Sequence, residues 1–196
     1  MVDSAVNIRY NSGGTHAILT WRDESMSELR DKRGLTEAEA IARYREKNYP
    51  KPALTADIAV FARQGGGLRL LLIRRGGHPY LGCWALPGGF ADEGETIERT
   101  AARELEEETN LRGLPLDLGG VYSAPGRDPR GWTVSAAYAV LLEEGMIDAT
   151  AGDDAAEARW IEIVNGAPRL PEGERLAFDH AQIIADALKA VSGDNR

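Results

Sequence analysis

The amino-acid sequence predicts a mixed α/β (α+β) fold, with one sheet flanked by helices and an N-terminal extension. Three observations carry that expectation. A chain of 196 residues is one domain of ordinary size with room for an appendage. Its apolar patterns run strands, helix, strands, helix, and not as a repeat of strand–helix–strand units. No apolar stretch approaches the roughly 18 residues of a membrane span, so the apolar residues belong to a buried core and no membrane partner is expected.

Residues 1–50 read as the extension. Gly13-Gly14 interrupts it and Ala17 to Trp21 suits a short strand. Thr36 to Arg45 reads as a helix, because Thr36 and Glu39 form a capping-box pair. Tyr49-Pro50-Lys51-Pro52 ends that helix as a stiff linker, and a domain covering 51–196 follows. Leu54 to Ala62 and Leu68 to Ile73 are apolar runs around Gly65-Gly66-Gly67, the signature of a hairpin. A loop closes with Leu86-Pro87-Gly88-Gly89. Thr96 to Thr109 then reads as a helix, ended by Asn110 in the left-handed conformation. Strands follow near Leu118–Ser123, Val134–Leu142 and Ala158–Ile163. Arg175 to Val191 reads as a last helix, with Leu176, Ile183, Ile184, Leu188 and Val191 at helical spacing.

Composition narrows the function. Against 23 Lys and Arg stand 31 Asp and Glu, a formal net charge of −8, which disfavours a protein held on nucleic acid by bulk electrostatics. A local basic pocket for phosphates remains compatible with it. The single cysteine, Cys83, forms neither an internal disulfide nor a multi-cysteine zinc site, and suits packing beside Trp84. Met1 to Tyr10 has no basic-then-apolar leader, so a cytoplasmic location is expected.

The chemistry concentrates in Arg103-Glu104-Leu105-Glu106-Glu107-Glu108. At about 100° per residue, Ile97, Ala101 and Leu105 form an apolar stripe. Glu104 and Glu108 fall within its sector, Glu107 at its edge, and Glu106 points away. Like charges on an inward face are costly, since close unit charges interact at about 4 kcal/mol for an effective dielectric near 20. A solvated acidic face is the ordinary explanation of a Glu-rich run, but it does not place carboxylates on the packing side. A divalent cation does: clustered carboxylates suit Mg²⁺ or Mn²⁺, and Gly88 in the preceding loop can offer its carbonyl to the same ion.

Gly89, five residues, Glu95, seven residues, then Arg103-Glu104-Leu105-Glu106-Glu107-Glu108-Thr109-Asn110-Leu111 resembles the Nudix box, G-x5-E-x7-R-E-U-x-E-E-x-G-U, with U a bulky aliphatic residue. Only the last glycine departs, and Asn110 is the residue type that best replaces it at positive φ. Leu70 to Arg75 and Trp84 to Phe90 also resemble the family, and the likeness runs from about Leu54 to Val191. It implies an α/β/α sandwich around a mixed sheet and hydrolysis of a nucleoside diphosphate linked to another moiety. It implies Glu104, Glu107 and Glu108 as metal ligands with the Gly88 carbonyl, and Arg103 paired with Glu95 to orient them. Divalent ions would neutralise the pyrophosphate charge that repels a nucleophile.

Pro125, fifteen residues beyond Asn110, resembles the ADP-ribose pyrophosphatase subgroup. Arg127-Asp128-Pro129-Arg130 and Leu176-Ala177-Phe178-Asp179-His180 resemble Nudix domains of NAD metabolism. Arg127, Asp128 and Arg130 are therefore candidate substrate contacts, the arginines as bidentate clamps on phosphate or ribose, although an Arg127–Asp128 surface pair is the plainer alternative. Of Arg74 and Arg75, one is expected to face phosphate. Trp84, Trp132 and Tyr122 are stacking candidates for adenine, with the core as the commoner place for a single tryptophan. Family members often carry a catalytic acid on a late loop, which favours Asp154 here, then Asp153 and Glu157. His180 is expected to be structural, and His16 and His78 have no visible partners.

Together these give a Mg²⁺-dependent pyrophosphatase that turns ADP-ribose into AMP and ribose 5-phosphate. NADH, a nucleotide sugar or an oxidised nucleotide is the substrate alternative. A ligand-sensing regulator is the alternative of another class, disfavoured because only some 25 residues follow Leu170 where a DNA-binding domain would stand. The resemblance also implies a homodimer, with residues 1–50 reaching the partner's pocket.

Overall fold

In a computed structural model the described residues are 7–10, 17–20, 29–143 and 157–192. The chain divides into two compact units, Met1–Pro50 and Lys51–Arg196.

In the first unit, strands β1 (Asn7–Tyr10) and β2 (Ala17–Thr20) pair antiparallel, and helix α1 spans Glu37–Glu46. β1 was not expected from the sequence. The capping box at α1 forms as its residue types require: Glu39 N–H donates to Thr36 Oγ1 and Thr36 N–H to Glu39 Oε2 (2.8 Å).

The second unit contains β3 (Ala53–Gln64), β4 (Gly67–Arg74), β5 (Trp84–Ala85), β6 (Gly88–Phe90), α2 (Ile97–Thr109), β7 (Asp117–Tyr122), β8 (Thr133–Leu142), β9 (Glu157–Val164), β10 (Ala167–Pro168) and α3 (His180–Ser192). The sheet order is β10-β9-β4-β3-β8-β7, with β5 on β4 and β6 on β3. β3 and β8 run parallel over ten register pairs, from Ala53↔Thr133 to Ala62↔Leu142, and every other pair is antiparallel. This is a mixed α+β sandwich.

The two faces of β3 explain the layers. Successive side chains alternate in a strand. Ala59 and Phe61 pack with Leu70, Leu72 and α3 residues Ile183, Ile184 and Leu188. Ile58 and Val60 pack with Leu71, Tyr138 and α2 residues Ala101 and Leu105. One continuous apolar strand thus serves two helices, and both of its faces are covered.

Asn110 closes α2 at φ 59°, the left-handed cap expected of it. The last helix starts later than its apolar spacing suggests. Leu176 makes a parallel bridge to Trp84, Ala177 N–H donates to the Trp84 carbonyl (2.8 Å), and Phe178 sits at φ 50°, so the helix begins at His180. Among the described residues, no helix is long and apolar enough to cross a membrane.

Candidate active site

Helix α2 fixes the acidic side chains. Buried Ala101 and Leu105 hold its inner stripe in the core. Glu104 and Glu108 flank that stripe, half-buried, while Glu106 and Glu107 are exposed. The guanidinium of Arg103 ties the group together. Its Nε and Nη2 donate to Glu95 (3.1 and 3.0 Å), Nη1 donates to Glu104 (2.7 Å) and Glu107 (3.0 Å), and Nη2 also reaches the Phe90 carbonyl (3.0 Å). This bonding holds the Glu95 carboxyl down at about 2, with Thr100 Oγ1 donating as well, and it raises Arg103 above its already high ordinary value.

Gly88 and Gly89 bring the preceding loop against these carboxylates. Gly88 N–H donates to Glu108 Oε2 (2.8 Å). Burial nevertheless pushes the Glu108 carboxyl up to about 8, and burial raises Glu104 against the pull of Arg103. A Cβ on Gly89 would lie 2.4 Å from the Glu104 carboxylate, whereas one on Gly88, at φ 154°, would lie 2.2 Å from the Ala56 carbonyl oxygen. The two glycines are therefore needed for different reasons. Gly89→Ala is expected to push Glu104 aside, losing turnover while thermal stability falls little. Gly88→Ala collides with backbone and is expected to lower the melting temperature. Comparing melting curves and turnover of the two variants separates these outcomes.

Beside the carboxylates lies a cleft of about 660 Å³ including its open mouth. Gly88, Gly89 and Phe90 form one wall, Arg75, Asp128, Arg130 and Phe178 another, and Asp57 and His180 the floor. The floor is a buried polar network. Asp57 on β3 accepts a short bond from Ser135 Oγ and lies 3.7 Å from Arg127 Nη2 and 3.5 Å from His180 Nε2. Arg127 donates to both carboxylate oxygens of Asp179 (2.8 and 2.7 Å). His180 Nδ1 accepts from Leu86 N–H (2.9 Å), which leaves its proton on Nε2, facing Asp57.

Burial holds His180 below its ordinary value, although Asp57 and Asp179 pull the other way. The unfolded chain therefore takes up this proton first, so the contribution of His180 to stability falls as pH drops below about 6.5, against an opposite slope from Glu108, whose raised carboxyl binds its proton first in the folded chain. His180→Asn, which keeps an acceptor for Leu86, is expected to remove the His180 contribution. Urea unfolding at about pH 7.5 and 5.5 measures it.

The structure gathers Glu95, Arg103, Glu104, Glu107 and Glu108 into one bonded group against Gly88 and Gly89, and puts Gly88, Arg75, Arg127, Asp128 and Arg130 in the lining of the cleft. Three of these make contacts that the sequence did not indicate. Arg127 is 5% exposed at its side chain and spends its fork on Asp179, which braces the floor. Asp128 is buried, and against the upward push of that burial its bonds with Arg130, which it orients, lower its carboxyl. Gly88 meets Glu108 through its N–H.

Others stand elsewhere. Trp84 has no exposed surface and packs in the core with Phe61 and Ile184, its Nε1–H on Glu174. It is not a stacking platform, because β5 turns it inward under β4 and α3. Tyr122 packs on the same core and donates to Asp186 (3.2 Å). Arg74 pairs with Glu157 (3.8 Å) and Glu174 (3.2 Å), and it is Arg75 that lines the cleft. Pro125 and Trp132 are exposed on the β7–β8 connection, outside the cleft wall. Asp153 and Asp154 lie outside the described residues.

Asp57 was missed by the sequence reading. An acidic residue inside the otherwise apolar run Leu54–Ala62 is the signal, since a buried carboxylate requires partners. Asp179 and Phe178 sit in a stretch read as helix, where their roles had no local sign.

The residues suit a hard divalent ion. Glu104, Glu107 and Glu108 offer oxygen only, and Glu108 is half-buried with, among the described residues, a single backbone donor for its charge. Among the described residues, no three acidic, imidazole or thiol groups already converge as a metal cage. Glu104 and Glu107 instead face Arg103 and Glu108 faces Gly88, so binding an ion requires these side chains to turn.

Comparison with known proteins agrees with this geometry. The model of the NUDIX domain matches residues 51–182. An ADP-ribose pyrophosphatase of Methanocaldococcus jannaschii is 44% identical over 125 residues, 64% of this chain and 69% of that enzyme. An ADPR-responsive transcriptional repressor, NtrR of Acinetobacter baylyi, is 31% identical over 158 residues, 80% of this chain but 61% of the repressor. The NUDIX domain of Shewanella oneidensis NrtR, solved in complex with ADP ribose, superposes with a TM-score of 0.68 at 32% identity, covering 80% of this chain and 99% of that one. With its sandwich fold, its box on α2 and a family match over most of its length, the chain belongs to the NUDIX domain family.

Proposed function

We propose that this Nudix hydrolase cleaves the pyrophosphate bond of a nucleoside diphosphate linked to another moiety, with ADP-ribose, giving AMP and ribose 5-phosphate, as its main substrate. The observation that carries this is a cleft lined by Arg75 and Arg130 whose Gly88–Gly89 wall is backed by carboxylates: Glu108 accepts from Gly88 N–H, and Glu104, tied with Glu107 to Arg103, lies against Gly89. The acidic group suits a cation, the basic wall suits phosphate oxygens, and a pyrophosphate hydrolase needs both.

Glu104, Glu107 and Glu108, with the Gly88 carbonyl, would hold Mg²⁺ or Mn²⁺. A bound divalent ion would offset phosphate charge and make water a better nucleophile. Arg103 aims Glu104 and Glu107 while Glu95 anchors Arg103, and Arg75 and Arg130 take phosphate oxygens. Water attacks one phosphorus, the bridging P–O bond breaks, and the water's proton passes to an acidic side chain, for which Asp154 is the candidate. The similarity to the archaeal pyrophosphatase and to an ADP-ribose-bound domain supports the choice of substrate. A cytoplasmic location suits the free, buried Cys83. A homodimer involving residues 1–50 completes the proposal, and a monomer by light scattering would remove it.

The repressor similarity favours a second reading, in which the cleft holds ADP-ribose as a signal. A panel of ADP-ribose, NADH, a GDP-sugar and 8-oxo-dGTP with Mg²⁺ distinguishes the readings. The highest kcat/KM is expected for ADP-ribose. Another winner would overturn the substrate, and tight binding without products would favour the sensor.

A further inference from the structure

Phe178 is not used by the reaction outlined above, yet the cleft is built around it. Its φ of 50° lies in the left-handed region, where an aromatic residue is held only if its contacts offset the steric cost. Four side chains pack around the ring. Tyr80 packs against it at 4.7 Å between centroids and His180 at 5.4 Å. The Arg75 guanidinium carbon lies 4.9 Å from the ring centre, and that of Arg130 lies 5.5 Å from the same ring and 4.6 Å from the Phe90 ring. Both cations are within the distance at which a ring face attracts them.

Each guanidinium is tied along one edge. Arg75 Nε donates to the Pro79 carbonyl (2.8 Å), and Arg130 Nε and Nη2 donate to Asp128 (3.0 and 2.7 Å). Among the described residues, Nη1 and Nη2 of Arg75 and Nη1 of Arg130 have no hydrogen-bond or ion-pair partner. Burial lowers Arg75, and the nearby charge of Arg130 lowers it further. Two like charges therefore share one aromatic ring with free donors beside a cleft, an arrangement that an anion with several oxygens relieves.

We propose that Phe178 is the positioning residue of a two-arginine grip, its ring holding Arg75 and Arg130 open toward the two phosphates of a nucleoside diphosphate. This rests on the reading of the cleft as a nucleotide site. Without the ring, the acidic groups nearby, Glu108, Asp128 and Asp57, draw Arg75 out of place. An aliphatic side chain fills the volume but lacks the negative ring face, so the chemistry of the ring is what matters.

The test is calorimetric binding of ADP and of adenosine in EDTA, where no turnover is needed. Phe178→Leu is expected to weaken ADP by about five- to tenfold and leave adenosine unchanged, while Phe178→Tyr stays within about twofold of wild type. Added to Arg75→Gln, Phe178→Leu is expected to cost less than it does alone, because its partner is already gone. If Phe178→Leu does not fold, Phe178→Met supplies a flexible side chain of similar bulk without the ring. Wild-type ADP affinity in a folded Leu or Met variant overturns the proposal, as does an equal loss for ADP and adenosine. Failure of the wild type to prefer ADP over adenosine also overturns it. Loss of ADP affinity in a protein that binds but does not cleave ADP-ribose supports the grip while sinking the hydrolytic reading.

Discussion

Glu108→Gln is expected to lower turnover of ADP-ribose by about 10²–10³-fold and to leave the metal-free protein at least as stable as wild type. A lost ligand charge costs several kcal/mol of transition-state stabilisation, at 1.36 kcal/mol per tenfold of rate. Stability behaves differently, because burial already penalises the Glu108 charge and a single backbone N–H donates to it. A glutamine keeps an acceptor for Gly88 without that penalty. Thermal unfolding of both proteins in EDTA and in Mg²⁺ checks this. Wild type is expected to gain stability with Mg²⁺, and the variant is expected to gain much less. Equal turnover would contradict the assignment of Glu108 to the ion.

Arg103→Ala is expected to damage both stability and turnover. It strips the counter-charge from Glu95, Glu104 and Glu107 at once and abandons the Phe90 carbonyl. Breaking a fully buried pair costs about 3–5 kcal/mol, and the part-exposed setting of Arg103 reduces this to about 2–3 kcal/mol. Turnover should fall a further ~10–100-fold, the usual effect of releasing groups that orient metal ligands. Arg103→Lys is expected to recover part of the stability and little of the turnover, since one ammonium cannot span these acceptors as a planar fork does. Denaturant unfolding alongside kcat checks both parts, and full turnover in Arg103→Lys would show that charge alone suffices.

The acidic helix was legible because it breaks an ordinary rule. Carboxylates at 104 and 108 on the packing side of α2 have no reason in a neutral core, and the spacing from Gly89 to Leu111 states the same constraint at longer range. Local signals also sufficed for the caps: Thr36 with Glu39, and Asn110 at positive φ, act within a few residues of themselves. What the sequence hid is non-local. Trp84 reads equally well as a stacking ring or a core ring until β5 is seen turned under β4. Arg127 reads as a phosphate clamp until Asp179, 52 residues away, takes both ends of its fork. Residues 175–179 carry helical spacing, but the bridge from Leu176 to Trp84 and the turn at Phe178 keep them out of the helix, which puts Phe178 in the cleft lining and Asp179 on Arg127.

Product analysis of purified protein with ADP-ribose, in Mg²⁺ and in EDTA, tests the hydrolytic assignment most directly. AMP and ribose 5-phosphate in equal amounts with Mg²⁺, neither in EDTA, and their release slowed by about 10²–10³-fold with Glu108→Gln, is the predicted result. Intact ADP-ribose recovered from folded, Mg²⁺-saturated wild-type protein would contradict it.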